Sequence, residues 1–395
     1  MTKAMRAELR LRSRAYLVTT IILSLGNYWV QIEGASHSHS HFHSVSKSKS
    51  KSKSKSRMDC YFIFGDSQSD NGNNNDIKGD AMANYKPYGI DFPNQNSPTP
   101  TGRFTNGRNL PDFIAELLGF HDYIPPFRNT TGWNVLKGVN YASGGSGIHS
   151  ETGRMLGKVL SINKQLENHN HTISRIQGSL GSKLAATKHL KSCLYTVQAG
   201  SNDYLNNYFL PFSYKTSAQF TPQQYAVALN KQLSHQLEEL YDRGGRKVAV
   251  FGVGGIGCTP YARANFEHEG SPCVEKINYA IQLFNSGLKS LIHDLNTKFT
   301  DAKFIFIDVF KISTMKPTPL VPADLLVLDA PCCEVPVGQL QCTPFGKVCG
   351  NRSKYMFWDG VHPTELGFKL VAKRAFNAKE PDDTYPFDIS HLVRL

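Results

Sequence analysis

The stretch FGDSQSDNGNN, residues 64–74, joins an apolar run to a cluster of small polar side chains. The residues Tyr61–Gly65 predict a buried β-strand, because aromatic and β-branched side chains favour strands. Asp66 and Ser67 stand directly beyond this strand, at the start of a turn rich in Asp and Asn. Ligand sites of open α/β sheets form at the carboxyl ends of strands. We therefore predict that the Ser67 hydroxyl faces such a site, the alternative being a serine that only caps the turn.

Strand-like and helix-like patterns alternate along the rest of the chain. Three further apolar runs predict strands at residues 194–199, 247–253 and 303–309. The clearest helix begins at Thr221, followed by Pro222 at the first helical position, and ends before Gly244. Such alternation is typical of a parallel sheet covered by helices. We expect residues 58–395 to form one α/β domain, a three-layer α/β/α sandwich with a central, mostly parallel sheet.

The first 57 residues differ in composition from the rest. Residues 1–35 place a basic start before a short apolar run, which is typical of a secretory signal peptide whose cleavage site the sequence leaves open. The run is too short to span a bilayer comfortably, so we expect no stable membrane span, and a signal anchor is the alternative. Residues 36–57 alternate serine with histidine and then with lysine, which predicts a disordered linker.

The formal charge of +12 resides mostly in this N-terminal part. Residues 1–57 hold eleven Lys and Arg against two Glu, so the remainder carries only +3. Nucleic-acid-binding proteins keep their cations on the folded domain, and we therefore expect no nucleic-acid partner. The Lys-rich part of the linker is interpreted either as a solvated spacer or as a weak attachment to an acidic cell-wall polymer or an anionic lipid surface.

Cysteines and glycosylation sequons point to the secretory route. Eight cysteines fit an oxidising compartment in a chain with a leader, although the sequence alone does not choose their pairing. No CxxC pair occurs, which disfavours zinc. The acceptor asparagines of the three sequons are Asn129, Asn170 and Asn351. We predict a secreted, glycosylated and disulfide-bonded protein.

A second candidate segment is WDGVHPTE, residues 358–365. A serine hydroxyl is a weak nucleophile until a base removes its proton, and that base needs a partner that holds its ring. Asp359 precedes His362 by three residues, so a tight turn brings their side chains together. We predict that His362 is the base for Ser67 and that Asp359 is its partner. A surface histidine at the start of a helix is the alternative.

Acyl transfer also needs hydrogen-bond donors for the developing oxyanion. The glycine-rich segment NYASGGSGI, residues 140–148, offers backbone amides, with Gly144 as the predicted donor. The segment AGSNDY, residues 199–204, follows a predicted strand and presents the side-chain amide of Asn202. Taken singly, the first is an ordinary turn and the second a common start of a helix.

The four segments together, in this order, resemble the GDSL family of lipases and esterases, also called SGNH hydrolases, and in particular its plant secreted branch. The resemblance runs from Asp59 to about Phe376 and includes TGRFTNGRN, residues 101–109, and GIGCTP, residues 255–260. It implies a flavodoxin-like fold and a location in the apoplast or cell wall. Gln68 stands where the family has the leucine of its name.

The resemblance implies roles for individual residues. Ser67 is the implied nucleophile, and its backbone N–H joins Gly144 and Asn202 in the oxyanion hole. His362 and Asp359 complete the implied triad. Asp66 is expected to organise the turn rather than to serve as a second triad acid.

The implied activity is hydrolysis of carboxylic esters of lipids or other small acyl compounds through an acyl-enzyme, with no metal or cofactor. The same acyl-enzyme would permit acyl transfer to an alcohol. A catalytically silent extracellular binding protein is the alternative from a different class. The GxSxG motif of the α/β-hydrolase fold does not occur in this chain.

Overall fold

The computed structural model describes residues 58–93, 99–314 and 326–395, which all belong to one compact unit. The predicted signal peptide and the predicted linker lie outside the described residues. In the described ranges, no helix combines the length and the apolar character needed to cross a membrane.

A five-stranded sheet forms the centre of the molecule. The strands of the described residues are β1 Tyr61–Gly65, β2 Leu194–Gln198, β3 Lys247–Phe251, β4 Lys303–Ile307, β5 Val327–Pro331, β6 Tyr355–Phe357 and β7 Thr384–Tyr385. The central sheet has the order β1-β2-β3-β4-β7, in which β1 to β4 are parallel and β7 is antiparallel to β4. Strands β5 and β6 pair in a separate parallel ribbon. The four predicted strands are confirmed.

Helices cover both faces of this sheet. The α-helices of the described residues are α1 Leu110–Leu118, α2 Ile162–Leu180, α3 Lys183–Ser192, α4 Ser201–Asp203, α5 Thr216–Gln219, α6 Pro222–Asp242, α7 Pro260–Asn265, α8 Glu275–Lys298, α9 Val309–Thr314, α10 Glu365–Phe376 and α11 Ile389–Leu392. The predicted helix at residue 222 is confirmed as α6. The Thr221 side chain accepts from the Gln224 N–H and the Gln224 side chain accepts from the Thr221 N–H, so both orphan donors are satisfied.

Alternate residues of each strand enter two different cores. Phe62 and Phe64 of β1 pack in a cluster with α2, α3, α6 and α8. Tyr61 and Ile63 pack on the other face with α1, α10 and α11. Because successive strand side chains point to opposite faces, this division produces three layers. The predicted α/β/α sandwich is confirmed.

Four disulfides pair all eight cysteines: Cys60–Cys193, Cys258–Cys273, Cys332–Cys349 and Cys333–Cys342. The first joins the residues that immediately precede β1 and β2. The last two brace the segment between β5 and β6. This segment packs with Tyr88, Phe104 and Trp358 in a third apolar cluster.

Candidate active site

Ser67, His362 and Asp359 form one hydrogen-bonded chain. The Ser67 Oγ lies 2.8 Å from the His362 Nε2, and the His362 Nδ1 lies 2.7 Å from the Asp359 Oδ2. All three side chains are buried. Ser67 follows the end of β1 at Gly65. Asp359 and His362 lie almost three hundred residues later in the chain, directly before α10. The arrangement is the geometry of a serine–histidine–aspartate triad.

A tight turn fixes Asp359 and His362 relative to each other. The Asp359 Oδ1 accepts the backbone N–H groups of Val361, at 2.9 Å, and of His362, at 2.7 Å. The Trp358 N–H donates to the His362 carbonyl at 2.8 Å and closes the turn. Thr364 then caps α10. The three-residue spacing of the sequence therefore suffices to place an acid beside the imidazole.

The second carboxylate oxygen of Asp359 has another partner. The Tyr88 hydroxyl lies 2.6 Å from the Asp359 Oδ2. On the other side, the Phe104 ring lies 5.0 Å from the His362 ring, centroid to centroid. Packing against Phe104 thus restricts the orientation of the His362 ring, while hydrogen bonds hold the Asp359 carboxylate.

Asp66 organises the turn that presents Ser67. Its Oδ1 accepts the Gln68 N–H at 3.0 Å, and its carbonyl accepts the N–H groups of Ser69 and Asp70. Among the described residues, no group hydrogen-bonds its Oδ2. Burial raises the pKa of Asp66 to about 7, because the charged form loses its hydration there.

The amide-rich turn after Ser67 holds the glycine-rich loop. The Asp70 Oδ1 accepts the N–H groups of Gly72 and Asn73, each at 2.7 Å. The Asn73 side chain donates to the Asn140 carbonyl at 2.9 Å and to the Ala142 carbonyl at 2.8 Å. The polar cluster that follows β1 therefore docks the loop at residues 140–148 against the serine turn.

Both backbone groups of Gly144 form hydrogen bonds with the turn that follows Ser67. Its N–H donates to the Asp70 Oδ2 at 2.9 Å, and its carbonyl accepts from the Asn74 side chain at 2.9 Å. These contacts contradict the prediction that the Gly144 N–H serves the oxyanion, because a buried carboxylate already holds it. The next residue, Gly145, lines the cleft beside Ser67. Within the described residues no hydrogen bond takes up its N–H, and its φ of 78° suits glycine.

Asn202 lies in α4, four residues beyond the end of β2, and also lines the cleft. Its Nδ2 donates to the Ser146 carbonyl at 2.9 Å, which leaves its second amide hydrogen for another acceptor. Its Oδ1 accepts from the Asn206 side chain at 2.6 Å. Asn206 belongs to a widened π-helical turn, Tyr204–Tyr208, a feature frequent at functional sites.

Asp203, the residue after Asn202, binds the segment at residues 148–152. Its carboxylate accepts the N–H groups of Ile148, at 2.8 Å, and His149, at 3.1 Å, and the Thr152 hydroxyl at 2.7 Å. Burial raises the pKa of this carboxyl, whereas these donors act in the opposite direction. The contacts hold the chain that follows the glycine-rich loop against α4.

A cleft with a largely apolar lining opens beside Ser67 and His362. Its apolar side chains include Ala81, Leu156, Leu205, Ile256, Leu340 and Val361. They come from six separate segments of the chain. The lining of the cleft is thus suited to bind the hydrocarbon part of a small molecule.

The residues described contain one cluster of potential metal ligands, formed by Cys60, His189 and Cys193. The two cysteines are joined in a disulfide, so their thiolates are not available to a metal ion. The cluster also lies at the amino ends of β1 and β2, away from Ser67.

The three sequon asparagines are exposed. Asn129 ends a short 3₁₀ turn and Asn351 precedes another. Asn170 stands in the middle of α2, where its side-chain oxygen accepts from the Arg243 Nε at 2.6 Å.

Three residues at the site were not predicted from the sequence: Tyr88, Gly145 and Asn206. Asn206 follows Asn202 by four residues, so the helical spacing of two amides was a usable signal. Tyr88 lies 271 residues from Asp359, and no local pattern connects them.

A family model described as GDSL-like lipase/acylhydrolase matches residues 61–375. The chain is also similar to several proteins of Arabidopsis thaliana that are named GDSL esterase/lipase. One is 46% identical over 338 residues, which cover 85% of this chain and 92% of the relative. Two others are 45% identical over 341 residues and 44% identical over 338 residues, with the same coverage.

Proposed function

This chain belongs to the GDSL-like lipase/acylhydrolase family and is a carboxylic-ester hydrolase, and we propose that Ser67, His362 and Asp359 carry out its reaction. The observation that carries this proposal is the continuous chain of hydrogen bonds from the Ser67 Oγ through the imidazole to the Asp359 carboxylate. A base within hydrogen-bond reach of the hydroxyl is what serine needs to become a nucleophile.

The first half of the reaction forms an acyl-enzyme. The Ser67 Oγ attacks the ester carbonyl carbon while the His362 Nε2 takes the serine proton. The tetrahedral intermediate then collapses, the bond to the alkoxy oxygen breaks, and His362 returns the proton to the leaving alcohol. Asp359 holds the Nδ1–H and stabilises the transient imidazolium.

The second half regenerates the serine. His362 removes a proton from a water molecule, whose oxygen attacks the acyl carbon. The carboxylic acid leaves and the proton returns to the Ser67 Oγ. An alcohol in place of water would give acyl transfer by the same steps.

The proposed oxyanion hole consists of the N–H groups of Ser67 and Gly145 and the side-chain amide of Asn202. None of the hydrogen bonds within the described residues takes up either backbone N–H, and both residues line the cleft with Asn202. Donors that are already oriented stabilise the oxyanion without reorganisation.

The substrate is a small-molecule ester, and we propose that its acyl chain occupies the apolar cleft. The side chains of Leu156, Leu205 and Leu340 support this placement. Steady-state kinetics with p-nitrophenyl esters of graded acyl length test it. The values of kcat/KM are expected to rise with chain length until the cleft is filled, and a complete loss in Ser67→Ala is expected at every length.

We further propose that the protein is secreted to the apoplast or cell wall after removal of the leader. Four disulfides and the exposed Asn129, Asn170 and Asn351 support this location. Mass spectrometry of protein from the extracellular fluid should find glycans and no free thiol, and a reduced, unglycosylated intracellular protein would contradict the proposal. Salt extraction of a variant with the linker lysines changed to serine tests the predicted weak surface attachment.

A further inference from the structure

Tyr88 contacts the carboxylate that faces the imidazole. Its hydroxyl lies 2.6 Å from the Asp359 Oδ2, the same oxygen that lies 2.7 Å from the His362 Nδ1. Both Tyr88 and Asp359 are almost fully buried, so no bulk water competes for this oxygen. We propose that Tyr88 is a positioning residue of the triad, which orients Asp359 and sets how much of its negative charge acts on His362. The proposal rests on the proposed roles of Ser67, His362 and Asp359.

The direction of this hydrogen bond follows from the second contact of Tyr88. Its Oη accepts the backbone N–H of Cys342 at 3.2 Å, so the phenol proton remains for Asp359. Burial, together with the nearby Asp359 charge, raises the pKa of Tyr88 well above its ordinary value. The phenol therefore keeps its proton and donates it to the carboxylate.

The carboxylate has few other donors on this oxygen. The Asp359 Oδ1 takes the two backbone N–H groups of its own turn, from Val361 and His362. The Oδ2 takes only the imidazole and Tyr88 among the described residues. Without the phenol, one buried lone pair of a charged group would have no donor, which is the costly situation for a buried acceptor.

Tyr88 also joins the triad to the disulfide loop. Cys342 pairs with Cys333, and its neighbours Leu340 and Gln341 line the cleft. The Cys342 carbonyl accepts the Tyr85 hydroxyl at 2.9 Å. The backbone of Cys342 thus holds Tyr85 and Tyr88 through two hydrogen bonds, of which only the second continues to Asp359.

If Tyr88 acted only through the packing of its ring, loss of its hydroxyl would have little effect on the triad. The Tyr88 ring packs edge-on against Tyr85 and Phe104, with centroid distances of 5.2 and 6.2 Å. Phenylalanine keeps these ring contacts and loses only the hydroxyl. Tyr88→Phe is therefore the test, and Tyr85→Phe is the matched control, because it removes a hydroxyl that binds the same cysteine without binding Asp359.

We expect Tyr88→Phe to lower kcat about tenfold, since hydrogen bonds to charged acceptors are the stronger class, and to leave KM nearly unchanged. The acid limb of the pH profile of kcat/KM should move to higher pH. Loss of the donor leaves more negative charge beside the imidazole, which favours the imidazolium. Tyr85→Phe should retain both the kcat and the profile of the unmodified enzyme.

Two other titratable groups, Asp66 and Tyr85, lie near the same pair. Asp66 acts on His362 electrostatically, and burial raises its pKa to about 7. Burial, together with the Asp359 charge, raises the pKa of Tyr85 to about 12, so its phenol stays neutral across the profile and adds no charge beside Asp359. Because both variants retain Asp66, its titration does not distinguish them, and the difference between their profiles reports on the Tyr88 hydroxyl.

A double-mutant cycle completes the test. In an Asp359→Asn background, Tyr88→Phe should cause little further loss, because the proposed effect passes through the carboxylate. Additive losses would overturn the proposal. An unshifted pH profile in Tyr88→Phe, with a lowered melting temperature and a matching loss in Tyr85→Phe, would overturn it as well. An inactive Ser67→Ala together with an additive cycle would reject the role of Tyr88 while retaining the triad.

Discussion

The Asn206 side chain donates a 2.6 Å hydrogen bond to the Oδ1 of Asn202. This contact fixes which end of the Asn202 amide points away from Asn206. The Nδ2 is then left to bind the Ser146 carbonyl and to face the cleft beside Ser67. The orientation of an oxyanion donor thus depends on a second amide one helical turn later.

We predict that Asn206→Asp lowers kcat by about tenfold or more with a smaller change in KM. A carboxylate cannot donate to the Asn202 Oδ1, so the Asn202 amide is free to turn its oxygen toward the oxyanion. Steady-state kinetics on a soluble ester measure the effect. Asn202→Ala provides the reference, and wild-type kcat in Asn206→Asp would contradict the assigned orientation.

We predict that His362→Ala reduces kcat/KM nearly as much as Ser67→Ala, because the members of a triad act together. Asp359→Asn should reduce it less, since the imidazole remains but its tautomer and orientation are no longer enforced. The double variant Ser67→Ala/His362→Ala should be scarcely worse than either single variant. Measurement on one soluble ester checks all four, and strictly additive losses would remove His362 from its role.

We predict a pH-dependent gain in stability for Asp66→Asn. The pKa of Asp66 is raised from 3.8 to about 7, so ionisation of this carboxyl disfavours the folded state. This destabilisation of the wild-type protein is absent below the pKa of Asp66 in the unfolded chain. It grows as the pH rises from about 4 to about 7, to an upper limit of about 4 kcal/mol. The free energies of unfolding of wild type and variant should therefore diverge across this window. A difference that does not change with pH would contradict the buried, unpaired carboxyl.

We predict that two disulfides affect different properties. The double variant Cys333→Ala/Cys342→Ala should raise KM, because Leu340 and Gln341 of that loop line the cleft. The double variant Cys60→Ala/Cys193→Ala should lower the melting temperature, since a native disulfide typically contributes about 2–4 kcal/mol. Its KM should stay unchanged at temperatures where the protein is folded. Equal effects of both variants on KM would contradict this separation.

Much of the fold could be predicted because its central strands are buried on both faces. Strands β1 to β4 appear in the sequence as short, nearly continuous apolar runs. Strands β5 and β6 are half-exposed and were not predicted, although short apolar runs stand at both positions, and β7 has only two residues. Their pairing depends on tertiary contacts that no local pattern records.

The candidate site could be predicted where chemistry and spacing were local. The turn at Asp359 and His362 is of this kind, and so is the serine at the end of β1. The choice between Gly144 and Gly145 as oxyanion donor could not be predicted, because both residues are glycines. Only the position of the Asp70 carboxylate decides which backbone N–H is already bound. The pairing of the cysteines was equally undetermined, since it depends on which loops the fold brings together.

Active-site labelling with a fluorophosphonate ester, followed by peptide mass spectrometry, identifies the nucleophile directly. We expect a single adduct on Ser67, formed rapidly in the wild-type protein and very slowly in His362→Ala, because the imidazole that removes the hydroxyl proton is then missing. Ser69 lies two residues away, is also buried, and serves as an internal control. An adduct on Ser69 or on any other serine, with Ser67 unmodified, would contradict the assignment of Ser67 as the nucleophile.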